Sequence, residues 1–198
     1  MTCLNWGVAK FLLPGEDGCG DQHLVCFTPC GALIAVVDGL GHGEEAEAAA
    51  RTAISVLEEN SDLDVISLVR RCHDKLRSTR GVVMSIASFN PGAGVLSWIG
   101  VGNVGGLLLK ADRESGTSTL LLRGGVVGGQ LPTLLAVNLP VTQGDTLIFT
   151  TDGVRDGFEK LLSLGSPPRD VASWILSQFA TRTDEALVLV AQYTGETQ

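Results

Sequence analysis

Two Asp-Gly steps that directly follow apolar runs are the positions best suited to chemistry in this chain. Asp38 ends an apolar run over residues 32–37, and Asp152 follows a second run over residues 145–151. After Asp38 the chain continues through residues 39–43, three of which are glycines that let a ligand approach the backbone closely. The carbonyl of Gly39 is therefore a candidate ligand in its own right. Two strand ends of this kind predict two carboxylates that meet at one edge of a sheet.

Two further acidic residues have the same setting. Asp21 ends the glycine-rich segment 18–21, and Asp184 precedes the last apolar run of the chain. Carboxylates that share a partly desolvated cleft raise one another's pKa, so the group requires either protons or a cation. Oxygen-only ligand sets suit Mg²⁺ or Mn²⁺. For Asp21 an alternative stays open, that of a loop aspartate that closes a turn.

Composition excludes several classes of protein. The formal net charge of -8 argues against nucleic acid or an anionic membrane as a partner, because both require clustered Lys and Arg. The five cysteines do not have the paired spacing of a zinc site and are predicted to be reduced thiols. The N-terminal residues have no signal-peptide pattern, and residues 124–144 are uncharged but too rich in Gly, Pro and Asn to span a membrane. We therefore expect a cytoplasmic protein.

Short apolar runs bounded by Gly, Pro, Asn and Asp dominate the chain and predict strands. They lie near 4–12, 23–28, 32–37, 82–89, 95–99, 104–110, 117–122, 133–138, 145–151 and 186–193. A helical stripe of alanines begins at Ala46, and a second helix is predicted with Asp62 as its N-cap. Two more helices are predicted over 154–162 and 169–179.

This order of elements predicts an α/β (α+β sandwich) fold, with two antiparallel β-sheets packed together and helices on the outer faces. Residues 1–198 are expected to form a single domain. The segment 100–105 matches the pattern GxGxxG, but no helix of adequate length follows it, so a strand-to-strand turn is favoured over a dinucleotide site. A Ser-His-Asp hydrolase is disfavoured because no GxSxG elbow is present.

The segments 38–43 and 151–154 together resemble the metal-dependent protein phosphatases of the PPM type, in particular their SpoIIE-like branch. The resemblance implies a minimal PPM-type core, and the strands between Gly81 and Thr151 follow too closely to house the flap that many members carry. It also implies that Asp38 bridges two Mn²⁺ or Mg²⁺ ions, that the Gly39 carbonyl completes one ligand set, and that Asp152 and Asp184 bind the other ion. Asp21 takes the place of the early acidic residue of the family.

The chain departs from the family at two places. The final family signature has two acidic or amide residues, a spacer and a Thr, whereas residues 183–188 here read TDEALV without that Thr. Asp184 is the expected ligand, with Glu185 as the alternative. The early Arg that binds substrate phosphate in eukaryotic members has no counterpart near residues 10–21.

The resemblance implies a protein phosphatase that hydrolyses phosphoserine or phosphothreonine with metal-activated water. His42 would donate a proton to the leaving oxygen or bind a metal-bound water, and it could instead cap the following helix. The stand-alone build resembles stressosome feedback phosphatases, which implies phosphorylated STAS-domain scaffold or regulator proteins as substrates. The alternative function is that of a catalytically degenerate domain that binds a phosphoprotein or scaffold without turnover.

Overall fold

Two β-sheets lie face to face at the centre of the molecule, and helices cover both outer faces. The computed structural model describes residues 3–14, 18–112, 116–162 and 165–195. In these ranges the strands are β1 (Leu4–Phe11), β2 (Asp21–Thr28), β3 (Gly31–Gly39), β4 (Val82–Asn90), β5 (Val95–Val101), β6 (Gly105–Leu109), β7 (Thr117–Thr119), β8 (Leu122–Arg123), β9 (Val137–Pro140), β10 (Thr146–Thr150) and β11 (Ala186–Tyr193). The α-helices are α1 (Glu44–Glu59), α2 (Val65–Leu76) and α3 (Pro168–Phe179). Within these ranges, no helix combines the length and the hydropathy needed to cross a membrane.

The strand order confirms the predicted fold class. One sheet runs β1-β11-β10-β6-β7, and the other runs β2-β3-β4-β5-β8 with β9 also paired to β5. The described pairings are antiparallel except for the short β5–β8 contact, which is parallel. Three apolar clusters separate the four layers: one under α1 and α2, one between the sheets, and one under α3.

Burial on both faces explains why the central strands are continuously apolar. In a strand, successive side chains point to opposite faces. In β3, one set contributes to the core between the sheets and the other to the core under α1 and α2, namely Ala32, Ile34 and Val36 in the first set and Leu33, Ala35 and Val37 in the second. This parity fixes the direction of the side chains at the end of the strand.

The N-cap of the second helix lies two residues later than predicted. The N-cap is Asp64, whose Oδ1 accepts hydrogen bonds from the backbone N–H groups of Ile66 and Ser67, both at 3.0 Å. The prediction of Asp62 as the cap is wrong. The helix begins at Val65 because its buried face starts there, and the extended backbone at Asp64 places the carboxylate over the first turn.

The predicted helix over 154–162 is also wrong. Only a 3₁₀ turn at Phe158–Lys160 forms, after Gly157 with a φ of 100°. Val154 instead pairs with Ala180 as an isolated bridge, and the Arg155 N–H donates to the Phe179 carbonyl at 2.9 Å. The backbone of residues 153–155 is therefore held in an antiparallel bridge to residues 179–181, a geometry that a helix starting at Val154 could not adopt.

Two predicted strands are displaced. The strand predicted over 117–122 is divided into β7 and β8, because the chain crosses from one sheet to the other at Leu120, which is buried between them. The strand predicted over 133–138 forms as the shorter β9, which starts four residues later and ends two residues later. Between β8 and β9, Val127 pairs with Val82 and the Gly128 N–H donates to His73 Nδ1 at 3.0 Å. This connection packs over α2, in agreement with a core that has no flap.

A backbone contact at Gly7 generates a stability prediction. A Cβ atom added at Gly7 would lie 2.3 Å from Arg169 Cα at the start of α3. Gly7→Ala should therefore lower the free energy of unfolding by about 1–3 kcal/mol, because neither backbone can yield without disturbing its sheet or helix. Chemical denaturation of both proteins measures the difference.

Gly124→Ala is the matched control for that measurement. No atom lies within 4 Å of a Cβ at Gly124. This control should stay within about 0.5 kcal/mol of wild type. Equal stability of the two variants would contradict the close packing of α3 on β1.

Candidate active site

Strand alternation directs two aspartates of one sheet into the gap between the sheets. Asp38 has the same parity in β3 as Ile34 and Val36, which face that gap. Asp21 lies directly opposite Asp38 in the β2–β3 register and therefore shares its face. Asp21 is almost fully buried, with 3% of its surface exposed, and Asp38 is half-buried. Asp21 thus belongs to a strand and is not a loop residue that closes a turn.

Thr151 connects this pair to the opposite sheet. In β10, Leu147 and Phe149 face the gap, and Thr151 continues the same parity just beyond the strand end. Its Oγ1 donates to Asp21 Oδ2 at 2.7 Å and accepts from the Leu187 N–H at 2.8 Å. One buried hydroxyl therefore bonds β2, β10 and β11 together at the site.

Asp184 and Glu185 are successive residues before β11, so their side chains point in opposite directions. Glu185 lies two residues before Leu187, on the side of the gap, and its Oε2 accepts from the Gly20 N–H at 2.8 Å. Its Oε1 is buried and has no hydrogen-bond partner in the described part of the chain. Asp184 is exposed, and its Oδ1 accepts from the Glu185 N–H at 2.8 Å. Glu185 thus anchors the turn before β2. Asp184 lies at the exposed edge of the site, where its second carboxylate oxygen is available to a ligand.

Asp152 lies at the exposed corner where β10 ends, and Asn103 orients it. Asn103 Nδ2 donates to Asp152 Oδ2 at 2.8 Å from the turn that joins β5 to β6. This turn is the segment that matches GxGxxG; β6 follows it, which confirms the predicted strand-to-strand turn.

Sequence reasoning missed both Thr151 and Asn103 as site residues. The alternation that starts at Leu147 was sufficient to predict an inward Thr151. No local pattern in the sequence pointed to Asn103.

The loop after Asp38 is shaped by α1. A Cβ at Gly39 would lie 2.1 Å from the carbonyl oxygen of Ala46, so only glycine permits the helix to pack on the strand end. His42 is exposed in this loop. The interpretation of His42 as a helix cap is wrong, because the N-cap of α1 is Gly43 and no side chain caps the helix.

The site carries more negative charge than its hydrogen-bond donors balance. Burial raises the pKa of Asp38 to about 8, with further contributions from Asp21, Asp152, Asp184 and Glu185. Burial likewise raises the pKa of Asp21 to about 7; the Thr151 hydrogen bond opposes that shift, and Glu185 and Asp152 add to it. Among the described residues no side chain or backbone group donates to the Asp38 carboxylate.

The donor set suits a hard divalent cation. Within the described ranges, the structure contains no group of three or more His, Cys, Asp or Glu side chains close enough together to hold a metal ion. Mg²⁺ does not require one, because it is commonly held by one or two carboxylates and keeps several waters. The unpartnered Glu185 Oε1 and the Asp38 carboxylate without a donor are oxygen atoms that a cation would satisfy. The residues present therefore fit Mg²⁺ or Mn²⁺.

Comparison with known proteins identifies the family. The model of the family Stage II sporulation protein E (SpoIIE) matches residues 29–185. The chain belongs to the SpoIIE family. That match spans both Asp-Gly corners of the SpoIIE-family site and ends at Glu185.

Individual relatives share the fold over almost their whole length. The phosphoserine phosphatase RsbX of Bacillus subtilis (strain 168) is 24% identical over 179 residues, which are 90% of this chain and 89% of RsbX. A crystal structure of RsbX in complex with magnesium superposes with a TM-score of 0.86, covering 96% of both chains at 23% identity. The two-sheet architecture is thus the PPM phosphatase fold.

Two further solved structures are similar. A chain from work on "the bacterial stressosome: a modular system that has been adapted to control secondary messenger signaling" is 30% identical, with a TM-score of 0.88, and covers 96% of this chain and 99% of its own. The catalytic domain of the serine threonine protein phosphatase PstP, in complex with two manganese ions, has a TM-score of 0.77 at 16% identity, over 96% of this chain and 98% of its own.

The raised pKa values generate a prediction about pH. A carboxyl whose pKa is higher in the folded than in the unfolded chain stabilises the fold while protonated, and that contribution is lost as pH rises through the folded value. For Asp38 the loss is completed as pH rises through about 8. In EDTA, wild type should therefore lose more thermal stability between pH 6.5 and 8.5 than Asp38→Asn does. Melting curves of both proteins measure this, and their difference cancels the His and Cys titrations that they share.

Mn²⁺ supplies the complementary measurement. A cation that replaces protons at the site should stabilise wild type more at pH 8.5 than at pH 6.5, because fewer protons have to leave. Asp38→Asn should lose most of the Mn²⁺-induced shift in melting temperature. Identical pH profiles and identical Mn²⁺ shifts in the two proteins would contradict the assignment of the raised pKa to Asp38.

Proposed function

We propose that this protein is a Mg²⁺- or Mn²⁺-dependent phosphatase that hydrolyses phosphoserine and phosphothreonine monoesters in proteins. The observation that carries this proposal is the cluster of Asp21, Asp38, Asp152 and Asp184 at one end of the gap between the sheets, within a SpoIIE-family fold. RsbX, which is similar over nine tenths of the chain, is a phosphoserine phosphatase. The reaction consumes one water and yields the free hydroxyl and inorganic phosphate.

Each residue of the site has a role in the proposal. Asp38, the Gly39 carbonyl, Asp152 and Asp184 would hold the Mg²⁺ or Mn²⁺ ions, with Asp21 as a further carboxylate beside Asp38. When bound, such ions activate water and neutralise charge on a phosphoryl group. Glu185, whose Oε1 has no partner among the described residues, would be the alternative ligand to Asp184. Its Oε2 accepts from the Gly20 N–H, and Asp21 accepts from Thr151, so both residues also fix the start of β2. His42, exposed in the loop after Asp38, protonates the leaving Ser or Thr oxygen.

Asp38→Asn tests the metal assignment directly. Loss of even an outer-shell partner of a metal ligand costs about 10–100-fold in affinity or activity, so loss of this ligand should cost at least about 100-fold in hydrolysis of p-nitrophenyl phosphate with Mn²⁺. The fold should survive, since one of several crowded carboxylates is neutralised. Circular dichroism and initial rates on the same sample provide the two measurements.

Asp62→Asn is the matched control, because Asp62 is exposed and belongs to the loop before α2, remote from the acidic cluster. It should keep full activity. An Asp38→Asn enzyme that stays within tenfold of wild type at saturating Mn²⁺ would refute the metal role. A folded wild type that binds phosphoprotein without turnover would instead establish the degenerate, binding-only function.

We propose that the substrates are phosphorylated STAS-domain proteins of a bacterial stressosome pathway. We also propose that this protein acts in the cytoplasm. The support is the similarity to RsbX and to the stressosome structure over nearly the whole chain, together with five free thiols of the kind retained in reducing compartments. The absence of a flap over the described site leaves the cleft open, so recognition depends on protein surface beyond the phosphate. Contacts remote from the phosphoryl group can supply binding energy that positions it for attack.

Two matched substrates test this proposal. Loss of phosphate from a phosphorylated STAS-domain protein should proceed with a higher kcat/KM than from a short phosphopeptide that copies the same site. Asp38→Asn provides the background rate on both. Equal efficiency on the two substrates would place recognition within the few residues around the phosphate and would remove the argument for docking.

A further inference from the structure

Arg80 lies beside the glycine loop of the proposed site, although it is far from Asp38 in sequence. The β3–β4 ladder pairs Gly39 with Val82, and beyond it the Leu40 N–H donates to the Gly81 carbonyl at 3.1 Å. This continuation places Arg80 opposite Gly41. A Cβ at Gly41 would lie 2.7 Å from Arg80 Nη1, so the guanidinium rests over the backbone of the loop that Asp38 opens.

Most hydrogen-bonding capacity of this guanidinium is unused. Arg80 Nε donates to Glu45 Oε2 in an ion pair, and its two terminal NH₂ groups have no partner among the residues that the structure describes. The Arg80 side chain is 55% exposed and that of Glu45 69% exposed, so the pair itself adds little stability. Its effect is to hold the side chain along the loop, with the NH₂ groups free to bind an anion.

Lys10, whose positive charge acts on Asp21, is already engaged in a hydrogen bond. Lys10 Nζ donates to the backbone carbonyl of Asp21 at 2.9 Å. A phosphoryl group that enters the cleft brings negative charge to a site where Asp38, Asp152 and Asp184 already crowd one another. A guanidinium fork matches two phosphoryl oxygens in a bidentate manner, which an ammonium cannot do.

We propose that Arg80 binds the phosphoryl oxygens of the substrate at the rim of the cleft, with Glu45 as the residue that orients it. The inference rests on the proposed phosphatase function and adds the residue that recognises the phosphate. Position 41 is glycine because its φ of 94° is one that L side chains rarely adopt, and the flexible end of the Arg80 side chain lies beside the space that a Cβ would fill.

Inhibition by inorganic phosphate is the measurement that tests the proposal. Hydrogen bonds to a charged group are commonly worth a factor of about 10–100 in binding. Arg80→Ala should therefore raise the inhibition constant of inorganic phosphate and the KM for a phosphopeptide by about that factor. Arg80→Lys should give values between those of wild type and Arg80→Ala, because it keeps the positive charge but loses the planar guanidinium that binds two oxygens at once. The shift in melting temperature caused by Mn²⁺ should be the same in all these proteins.

Two controls separate phosphate binding from a structural brace. Glu45→Ala breaks the ion pair as completely as Arg80→Ala but keeps the guanidinium, so it should raise the phosphate inhibition constant by much less. Arg77→Ala removes an exposed arginine that pairs with Asp74 on the same segment, and it should change nothing. Equal effects of Glu45→Ala and Arg80→Ala would reduce Arg80 to a brace and overturn the proposal.

The outcome is distinguishable from failure of the phosphatase function. If wild type hydrolyses the phosphopeptide and Arg80→Ala leaves the phosphate inhibition constant unchanged, only the role of Arg80 is lost. If wild type shows no turnover, calorimetric titration of inorganic phosphate into the Mn²⁺-loaded protein still decides the question. Binding weakened in Arg80→Ala then supports the anion site, and unchanged binding overturns it.

Discussion

Mutual repulsion among buried carboxylates is the constraint on which the site depends. Asp21 and Asp38 face each other across two neighbouring strands, and Glu185 approaches from the opposite sheet. Carboxylates in such a cluster either hold protons or surround a cation, because burial disfavours their charged form. The raised pKa values of Asp21 and Asp38 express that conflict in the protein alone. A fold that keeps these carboxylates close together must hold the strand ends that carry them rigidly in place.

The layered architecture provides that rigidity. The clusters between the sheets and under the helices fix both faces of β3 and β11, so the strand ends cannot separate to relieve the repulsion. Thr151 then joins the ends across the gap, with one hydrogen bond to Asp21 and one from Leu187. Close packing of α1 against Gly39 fixes the loop that follows Asp38. The packing of the apolar clusters thus holds an electrostatically unfavourable group of carboxylates in place for a ligand.

The departure from the family signature near the C-terminus has a structural reading. The position that lacks the family Thr is Leu187, whose side chain packs between the sheets and whose N–H is bonded by Thr151. The two acidic residues before Leu187 point in opposite directions, so that Glu185 is directed inward and Asp184 lies at the exposed edge of the site. The altered signature therefore leaves the acidic rim of the site in place.

Much of the fold could be predicted from local pattern. Alternation and turn residues located most strands, because the side-chain period of a strand is visible in the sequence. The errors fall where a distant segment competes for the backbone. Residues 154–162 are helical by local pattern, yet residues 153–155 pair with residues 179–181 in an antiparallel bridge. The strand expected over 117–122 divides because each half meets a different sheet.

The sequence by itself determined the family, the order of layers and the acidic residues at the strand ends, because these follow from motifs and from the period of apolar residues. Only the tertiary structure decided which groups surround them. Thr151, Asn103 and Arg80 each reach the site across contacts between residues far apart in the chain. Such contacts depend on the register between strands and on the closeness of packed backbones. Those distances are set by the whole core, and no local pattern encodes them.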